Sequence, residues 1–522
     1  MNINSAGDWF YNGWGTIRRG WRRWFPPEPG WATIALAGSY PVLAQPRWPW
    51  QRPALSATAL AQAIRRLSED PAVIGVRFEA GPLEMGAAAA YTLRQAMVDL
   101  SAKKATVFYA PLLGMWSYYL ASAAREVVMP PGAELDLPGF SLGQVFLGAG
   151  LKRIGIDFEK YAIGRYKSAF DELVEGEMSQ GAREEYRAYL EGLAAEFSGQ
   201  VAQSRGKDPG LVREWVDRGF AEAAEAQQLG ALDRLASARD LETRQDHPAR
   251  YYLRRSPPPV RTHLGLRVAV VPILGNLVYG ASGQVPGMGL VTGSESLVPA
   301  LRKCEKDSGL AAVVLYIDSG GGSALASELI DQAVESLARV KPVVAVMGGV
   351  AASGGYFVAA HANRILAAPT TLTGSIGVVS LRPVLGQFYA NLGLNPETLS
   401  WGERADSRYP FRGLREEEKL ELHRSISATY QRFVGRVAHG RGLSPERVDE
   451  LGQGRVWSGS DALERGLIDQ LGGIVDALAL AREMSQAGPE APWFLVRTAR
   501  RSPGVRLPLL AERAWAILPP PW

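Results

Sequence analysis

The feature that most constrains this 522-residue chain is that its sequence is written twice. The run VIGVRFEAGPLEMGAAAAYTLRQAMVDLSAKKATVFYA, from Val73, parallels AAVVLYIDSGGGSALASELIDQAVESLARVKPVVAVMG, from Ala311. Each has a β-branched strand, a glycine-containing loop, a long alanine-rich helix and a second apolar strand. Further on, LGALDRL (229–235) parallels RGLIDQL (465–471). The offsets are 311−73=238 and 469−233=236, nearly constant over a span too long for chance. Strand–helix–strand order implies βαβ units and a parallel sheet in each half. Between the halves lies RRSPPPVRTH, a charged, proline-rich linker. The expected division is an N-terminal segment (1–30), a first α/β half (31–255), a linker (256–262), a second half (263–490) and a tail (491–522).

The halves diverge where chemistry is possible. In the second, the strand KPVVAVM runs into GGVAASGGYFVAAHANRIL; the first offers KATVFYAPLLGMWSYYLASAAREVVM. Ser353 therefore sits among small residues, where the first half carries Met115 or Trp116. Small neighbours let a carbonyl approach a hydroxyl. The Gly354 amide, at a helix start, can face a developing oxyanion. The turn Gly320-Gly321-Gly322, ending the strand VVLYIDS, offers further unobstructed N–H groups. The competing reading is a pair of tight strand-to-helix turns. A serine nucleophile needs a base. His361 follows Ser353 by eight residues, ~12 Å along a helix at ~1.5 Å per residue, which is out of reach. It reads as a half-buried helix histidine. A lysine serves if burial leaves it neutral. The second half has none between Lys341 and Lys419; the first has Lys167, in YAIGRYKSAFDELVEGEMSQ, at a helix entry.

Composition narrows the field. With 57 basic and 53 acidic residues, the chain lacks the basic excess of a nucleic-acid binder. Apolar residues make up 47%, enough for a sizeable core. The single cysteine, Cys304, excludes a disulfide framework and a multi-cysteine metal site; in LRKCEKDSG it reads as an ordinary thiol. The five histidines (His247, His263, His361, His423, His439) form no HExxH motif and no close pair in sequence, against a zinc hydrolase. Neither a membrane span nor a secretory leader is evident, so the expectation is a cytoplasmic or peripherally membrane-associated protein. Residues 9–25 are unusual. Phe10, Trp14, Ile17, Trp21, Trp24 and Phe25 form an apolar stripe beside Arg18, Arg19, Arg22 and Arg23. That pattern suits a membrane interface or packing against a neighbour.

The stretches GRYKSAFDELVEGEMS, YIDSGGGSALASE, AASGGYFVAAHANRILA and TLTGSIGV, in this order, resemble the long form of the signal peptide peptidase A (protease IV) family. The similarity runs over roughly residues 31–490. It implies a tandem α/β fold of the Clp/crotonase type, a spiral of βαβ units, and a Ser/Lys dyad assembled from both halves. Carried over, Ser353 matches the nucleophile and Lys167 the general base. Ser375, in TGSIG, matches the serine that orients the lysine. The oxyanion hole falls to Gly354 and to Gly321 or Gly322. The family loop usually reads S-P-G-G, and the missing proline leaves those two glycines as alternatives. The resemblance further implies hydrolysis of apolar peptides such as cleaved signal peptides through an acyl-enzyme. No metal or cofactor is called for, and a homotetramer is expected. Two other readings stand beside it. One is a crotonase-like acyl-CoA enzyme, for which Glu328 and Asp331 are available although they read as an exposed helix face. The other is a non-catalytic membrane-surface scaffold. Val350, Leu372, Ile376 and Val378 read as core or as the lining of an apolar pocket.

Overall fold

The computed structural model describes residues 26–44, 55–255 and 265–498, with positions 12–14, 16, 17, 20 and 24 of the N-terminal segment. The proline-rich linker, most of the tail, and Phe10, Trp21, Phe25, Arg18, Arg19, Arg22 and Arg23 lie outside the described residues. The described positions near the N-terminus are helical, with Trp14, Ile17 and Trp24 exposed. Among the described residues no helix is long and apolar enough to cross a membrane.

The first half is a six-stranded, all-parallel sheet. Its strands are β1 (Gly30–Ser39), β2 (Val73–Glu84), β3 (Ala105–Tyr109), β4 (Glu126–Met129), β5 (Arg234–Leu235) and β6 (Asp246–Pro248), in the order β6-β1-β2-β3-β4-β5. Helices α1 (Ala57–Glu69), α2 (Ala87–Lys103), α3 (Met115–Ala121) and the long α4 (Gln180–Arg205) cover it. The second half repeats the plan with β7 (Arg267–Leu274), β8 (Leu310–Ser319), β9 (Val343–Ala352), β10 (Arg364–Ala367), β11 (Gln470–Leu471) and β12 (Trp493–Leu495). Here β12-β7-β8-β9-β10-β11 run parallel. The strand Leu372–Gly374 also pairs with the C-terminal end of β9. The edge strand β12 lies beyond residue 490, so chain assigned to the tail by sequence completes the second sheet as β6 completes the first.

These elements follow from their residues. LAAVVLYIDS in β8 is apolar almost without alternation because both faces of a parallel sheet are covered. Helix α5 (Ala324–Ala338) starts where the Ser323 hydroxyl accepts from the Ala326 N–H. It buries Ala326, Ile330, Ala333, Val334 and Leu337 at helical spacing. Helix α6 (Glu416–Arg441), 26 residues long, matches α4, also 26 residues. Each ends at a glycine with positive φ, Gly206 or Gly442.

One pairing joins the halves. Strand Asp157–Ile163 of the first runs antiparallel to Val378–Val384 of the second, with Ile163 opposite Val378. Tyr166 N–H donates to Gln453 O at 2.8 Å, and Tyr189 hydroxyl to Thr370 O at 2.9 Å. This seam carries the loop bearing Lys167 to the mouth of the second sheet.

Candidate active site

At the end of β9 the chain turns sharply into the four-residue helix Gly354–Phe357. Ser353 caps that helix with φ 53° and ψ −120°, a conformation costing about 1–3 kcal/mol for a side-chain-bearing residue. The turn is held by Ser353 N–H donating to Gly374 O at 2.8 Å. Its small residues are a packing requirement. A Cβ on Gly354 would lie 2.4 Å from Ser327 Oγ, and one on Gly355 2.3 Å from Ser319 O.

Beside it, the glycine loop ends β8. Gly321 N–H donates to Ser319 Oγ at 3.1 Å, and Gly321 O accepts from Leu277 N–H at 2.8 Å. Ser323 N–H donates to Leu277 O at 2.8 Å. This bridge uses groups on either side of Gly322 and leaves Gly322's own amide out of it. Gly354, in the first turn of its helix, has an N–H with no intrahelical acceptor.

Lys167 reaches Ser353 across the seam. Its Nζ lies 3.0 Å from Ser353 Oγ, 3.0 Å from Ser375 Oγ and 3.0 Å from Ser375 O. Ser375 also has positive φ, 52°, and its N–H donates to Arg455 O at 2.7 Å. Both serines touching the lysine are thus held in strained turns. Lys160 fixes the lysine loop through Lys167 O, at 2.8 Å, and an ion pair with Asp171. Lys167 is 6% exposed. Burial pulls its pKa down to about 8, against an upward pull from Glu185, with nearby Lys160 adding a smaller downward push. Glu185, on α4, is pushed up to about 7 by its own burial, partly offset by Val456 N–H and Ser168 hydroxyl.

The structure therefore brings Ser353, Lys167, Ser375 and the two glycine turns together within one chain. Ile376 belongs to the core, Val378 packs half-buried against that core, and Val350 and Leu372 are half-buried. Other expectations need correction. Asp331 is not on an exposed face: it is fully buried, accepting from Arg436 and contacting His361 at 2.7 Å. Glu328 faces Arg432 at 3.5 Å. His361 is not on the helix that Ser353 caps, which ends at Phe357; it lies in the turn that follows and is buried. It also meets His439 at 3.1 Å, a pair hidden by a separation of 78 positions in sequence. Glu185 escaped the sequence reading as well. Its signal was a glutamate on the apolar stripe of α4, in line with Ala182, Leu193 and Phe197.

Comparison with known proteins adds an independent finding. The model of peptidase family S49 matches residues 99–250 and again 335–488. "Serine protease SPPA, chloroplastic" of Arabidopsis thaliana is 31% identical over 465 residues, covering 86% of this chain and 68% of its own. "Protease 4" of Salmonella typhi is 30% identical over 432 residues, covering 77% and 69%. Among solved structures, a variant of the 1510-N membrane-bound stomatin-specific protease is 16% identical. It covers 44% of this chain and 97% of that one, at a TM-score of 0.28.

Proposed function

Because the chain belongs to peptidase family S49, and with it to the serine peptidases, we propose that it cleaves peptide bonds with Ser353 as nucleophile and Lys167 as general base. The observation that carries this reading is the set of three 3.0 Å contacts around the buried Lys167 amine. A neutral amine has two N–H donors and one lone pair. Ser375 Oγ and O accept the two donors, which leaves the lone pair for the Ser353 hydroxyl. Lys167 takes that proton as Ser353 Oγ attacks the scissile carbonyl. The Gly354 and Gly322 amides stabilise the tetrahedral oxyanion; Gly322 is preferred to Gly321, whose N–H is already used by Ser319. The lysinium then protonates the leaving amine. Water, deprotonated in turn by Lys167, hydrolyses the acyl-enzyme. Glu328 and Asp331, the carboxylates an acyl-CoA reading needed, are engaged with arginines elsewhere.

The substrates we infer are apolar peptides such as cleaved signal peptides, as the family resemblance suggests. Exposed Trp14, Ile17 and Trp24 support peripheral contact with a membrane surface. The homo-oligomer, a tetramer by resemblance, has its own support. Segment 395–401 is the counterpart, at 238 residues, of strand 157–163, and 140–146 is the counterpart of 378–384. Strands 157–163 and 378–384 pair within the chain, whereas 140–146 and 395–401 form no strand and expose Leu142, Val145, Leu399 and Trp401. Head-to-tail association would let these segments repeat the internal pairing between copies and close a ring.

The test is hydrolysis of a fluorogenic apolar peptide across pH 6–10 by wild type, Ser353→Ala and Lys167→Ala. Activity should rise through about pH 8 as Lys167 loses its proton, and both variants should be inactive. Full activity in Ser353→Ala would overturn the assignment of the nucleophile.

A further inference from the structure

The second half contains a polar cluster that the peptidase chemistry leaves unused. His361 Nδ1 lies 2.7 Å from Asp331 Oδ1, and its Nε2 lies 3.1 Å from His439 Nδ1. Asp331 is fully buried on α5 and held by Arg436 of α6. Glu335, one helical turn beyond Asp331, completes a set with the two histidines whose donor atoms all lie within 4.8 Å of one another. The cluster opens into a cavity of about 590 Å³ lined also by Arg339, Arg364 and Asp469.

We propose that Glu335, His361 and His439 bind a divalent transition-metal ion of the zinc class. Two imidazoles and one carboxylate form a donor set suited to such ions, with the open cavity supplying a water as fourth ligand. The supporting shell is already built. Asp331 accepts from His361 Nδ1–H, fixing the tautomer whose Nε2 lone pair faces His439. Two nitrogens bound at ~2.0–2.1 Å to one tetrahedral ion stand about 3.3–3.4 Å apart, so the observed separation of 3.1 Å needs only a shift of a few tenths of an ångström. Both Glu335 oxygens face arginines, Arg436 at 2.7 Å and Arg339 at 2.5 Å. Arg339 is 72% exposed, so it can withdraw and release one oxygen to the ion.

The sequence repeat gives an independent reason to regard the cluster as an addition. Subtracting 238 from Asp331, Glu335 and His361 gives Leu93, Met97 and Ala123; subtracting 236 from Arg436 and His439 gives Gln200 and Gln203. The first half builds the same fold there with a fully buried Arg94, bonded to Tyr119 O, Ser122 Oγ, Gln200 O and Ser204 Oγ. The fold can thus be completed without two facing histidines. An ion here would join α5, the turn after the Ser353 helix, and α6.

The experiment uses the full-length chain, stripped with chelator and titrated with Zn2+ by calorimetry, with Co2+ as spectroscopic substitute. Wild type should bind one Zn2+ per chain, gain thermal stability with it, and give the visible bands of a four-coordinate Co2+ site. His439 is exposed, so His439→Ala should fold; it should weaken Zn2+ binding at least tenfold and abolish the bands. Glu335→Gln should weaken binding similarly, while His423→Ala, at an exposed position on the same helix, should bind as wild type. If His361→Gln fails to fold, the other two variants carry the test. The proposal falls if wild type takes up no stoichiometric Zn2+. It also falls if His439→Ala and Glu335→Gln bind like wild type, or if His423→Ala is the variant that loses binding. None of these readouts depends on peptidase activity.

Discussion

Set against each other at a shift of 236 to 238 residues, the two halves agree in their anchors and disagree in their chemistry. Tyr118 hydroxyl donates to Ala231 O at 2.7 Å, and Tyr356 to Leu467 O at 2.8 Å. Asp233 accepts from Val127 N–H at 2.7 Å and pairs with Arg205; Asp469 accepts from Ile365 N–H at 2.7 Å and pairs with Arg441. Yet Ser353 corresponds to Met115 (353−115=238), Ser375 to Leu137 (375−137=238) and Lys167 to Ala405 (405−167=238). Duplication preserved what holds a strand to the next turn and kept one Ser/Lys/Ser cluster of the two it could have made. On our reading that cluster is composite, with its lysine from one half and its serines from the other. Neither half should be active alone, and a ring would alternate competent and silent junctions.

The sharpest way to break this comparison is to remove the serine and ask whether any activity persists from the other half. Ser353→Ala and Lys167→Ala should each lower kcat/KM by at least ~10³-fold, and the double variant should be no worse, because the two act as a unit. Additive losses would mean that Ser353 and Lys167 act independently and form no dyad, and activity left in the double variant would mean a second site. Ser375→Ala should cost less, about 10- to 100-fold in kcat with KM little changed, since it orients the amine without reacting. An unchanged kcat would remove Ser375 from the mechanism.

Much of this was legible in the sequence because both signals are local. Strand and helix periodicity, read twice at a constant offset, delivers the duplicated sheets. The small-residue turn at Ser353 stands out because its counterpart is Met115. Lys167 was reached by elimination of nearer bases and by family resemblance, not by any local pattern. What stayed hidden depends on contacts between distant segments. His361 and His439 meet only when the turn after Phe357 packs on α6. Asp331 lies on a helix whose spacing leaves it apparently outward, and α6 covers it. Strand 157–163 pairs across the seam with one that begins 215 residues later.

A smaller effect separates stability from catalysis. In the first half, Trp116 packs edge-on against Tyr119, with ring centroids 5.6 Å apart, and against Phe140 at 5.1 Å. It fills the place where the second half has its glycine turn. Trp116→Ala should lower the stability of the first half by about 2–4 kcal/mol, the cost of a half-buried aromatic removed from a core. Chemical denaturation measures this. Peptidase activity at temperatures where the variant stays folded should be retained. A large loss of kcat there would show that the first half does more than hold Lys167 in place.

The smallest expected effect sharpens the comparison at one charge. Glu185 lies buried near Lys167, while its counterpart in α6, Glu421 (421−185=236), is exposed and paired with Arg404. Burial draws the Lys167 pKa down to about 8, and the Glu185 charge acts in the opposite direction. With its own pKa near 7, Glu185 is mostly ionised where Lys167 titrates. Glu185→Gln keeps an oxygen for Val456 N–H and a polar partner for Ser168 but removes the charge. The lysine pKa should fall, so the rising limb of kcat/KM should move to lower pH, with more activity at pH 7 and a slightly lower alkaline plateau from the weaker base. Glu421→Gln should leave the limb where it is. A limb that moves to higher pH in Glu185→Gln would mean that the carboxylate is not ionised beside Lys167, and a limb that does not move would mean that another group titrates in the rate.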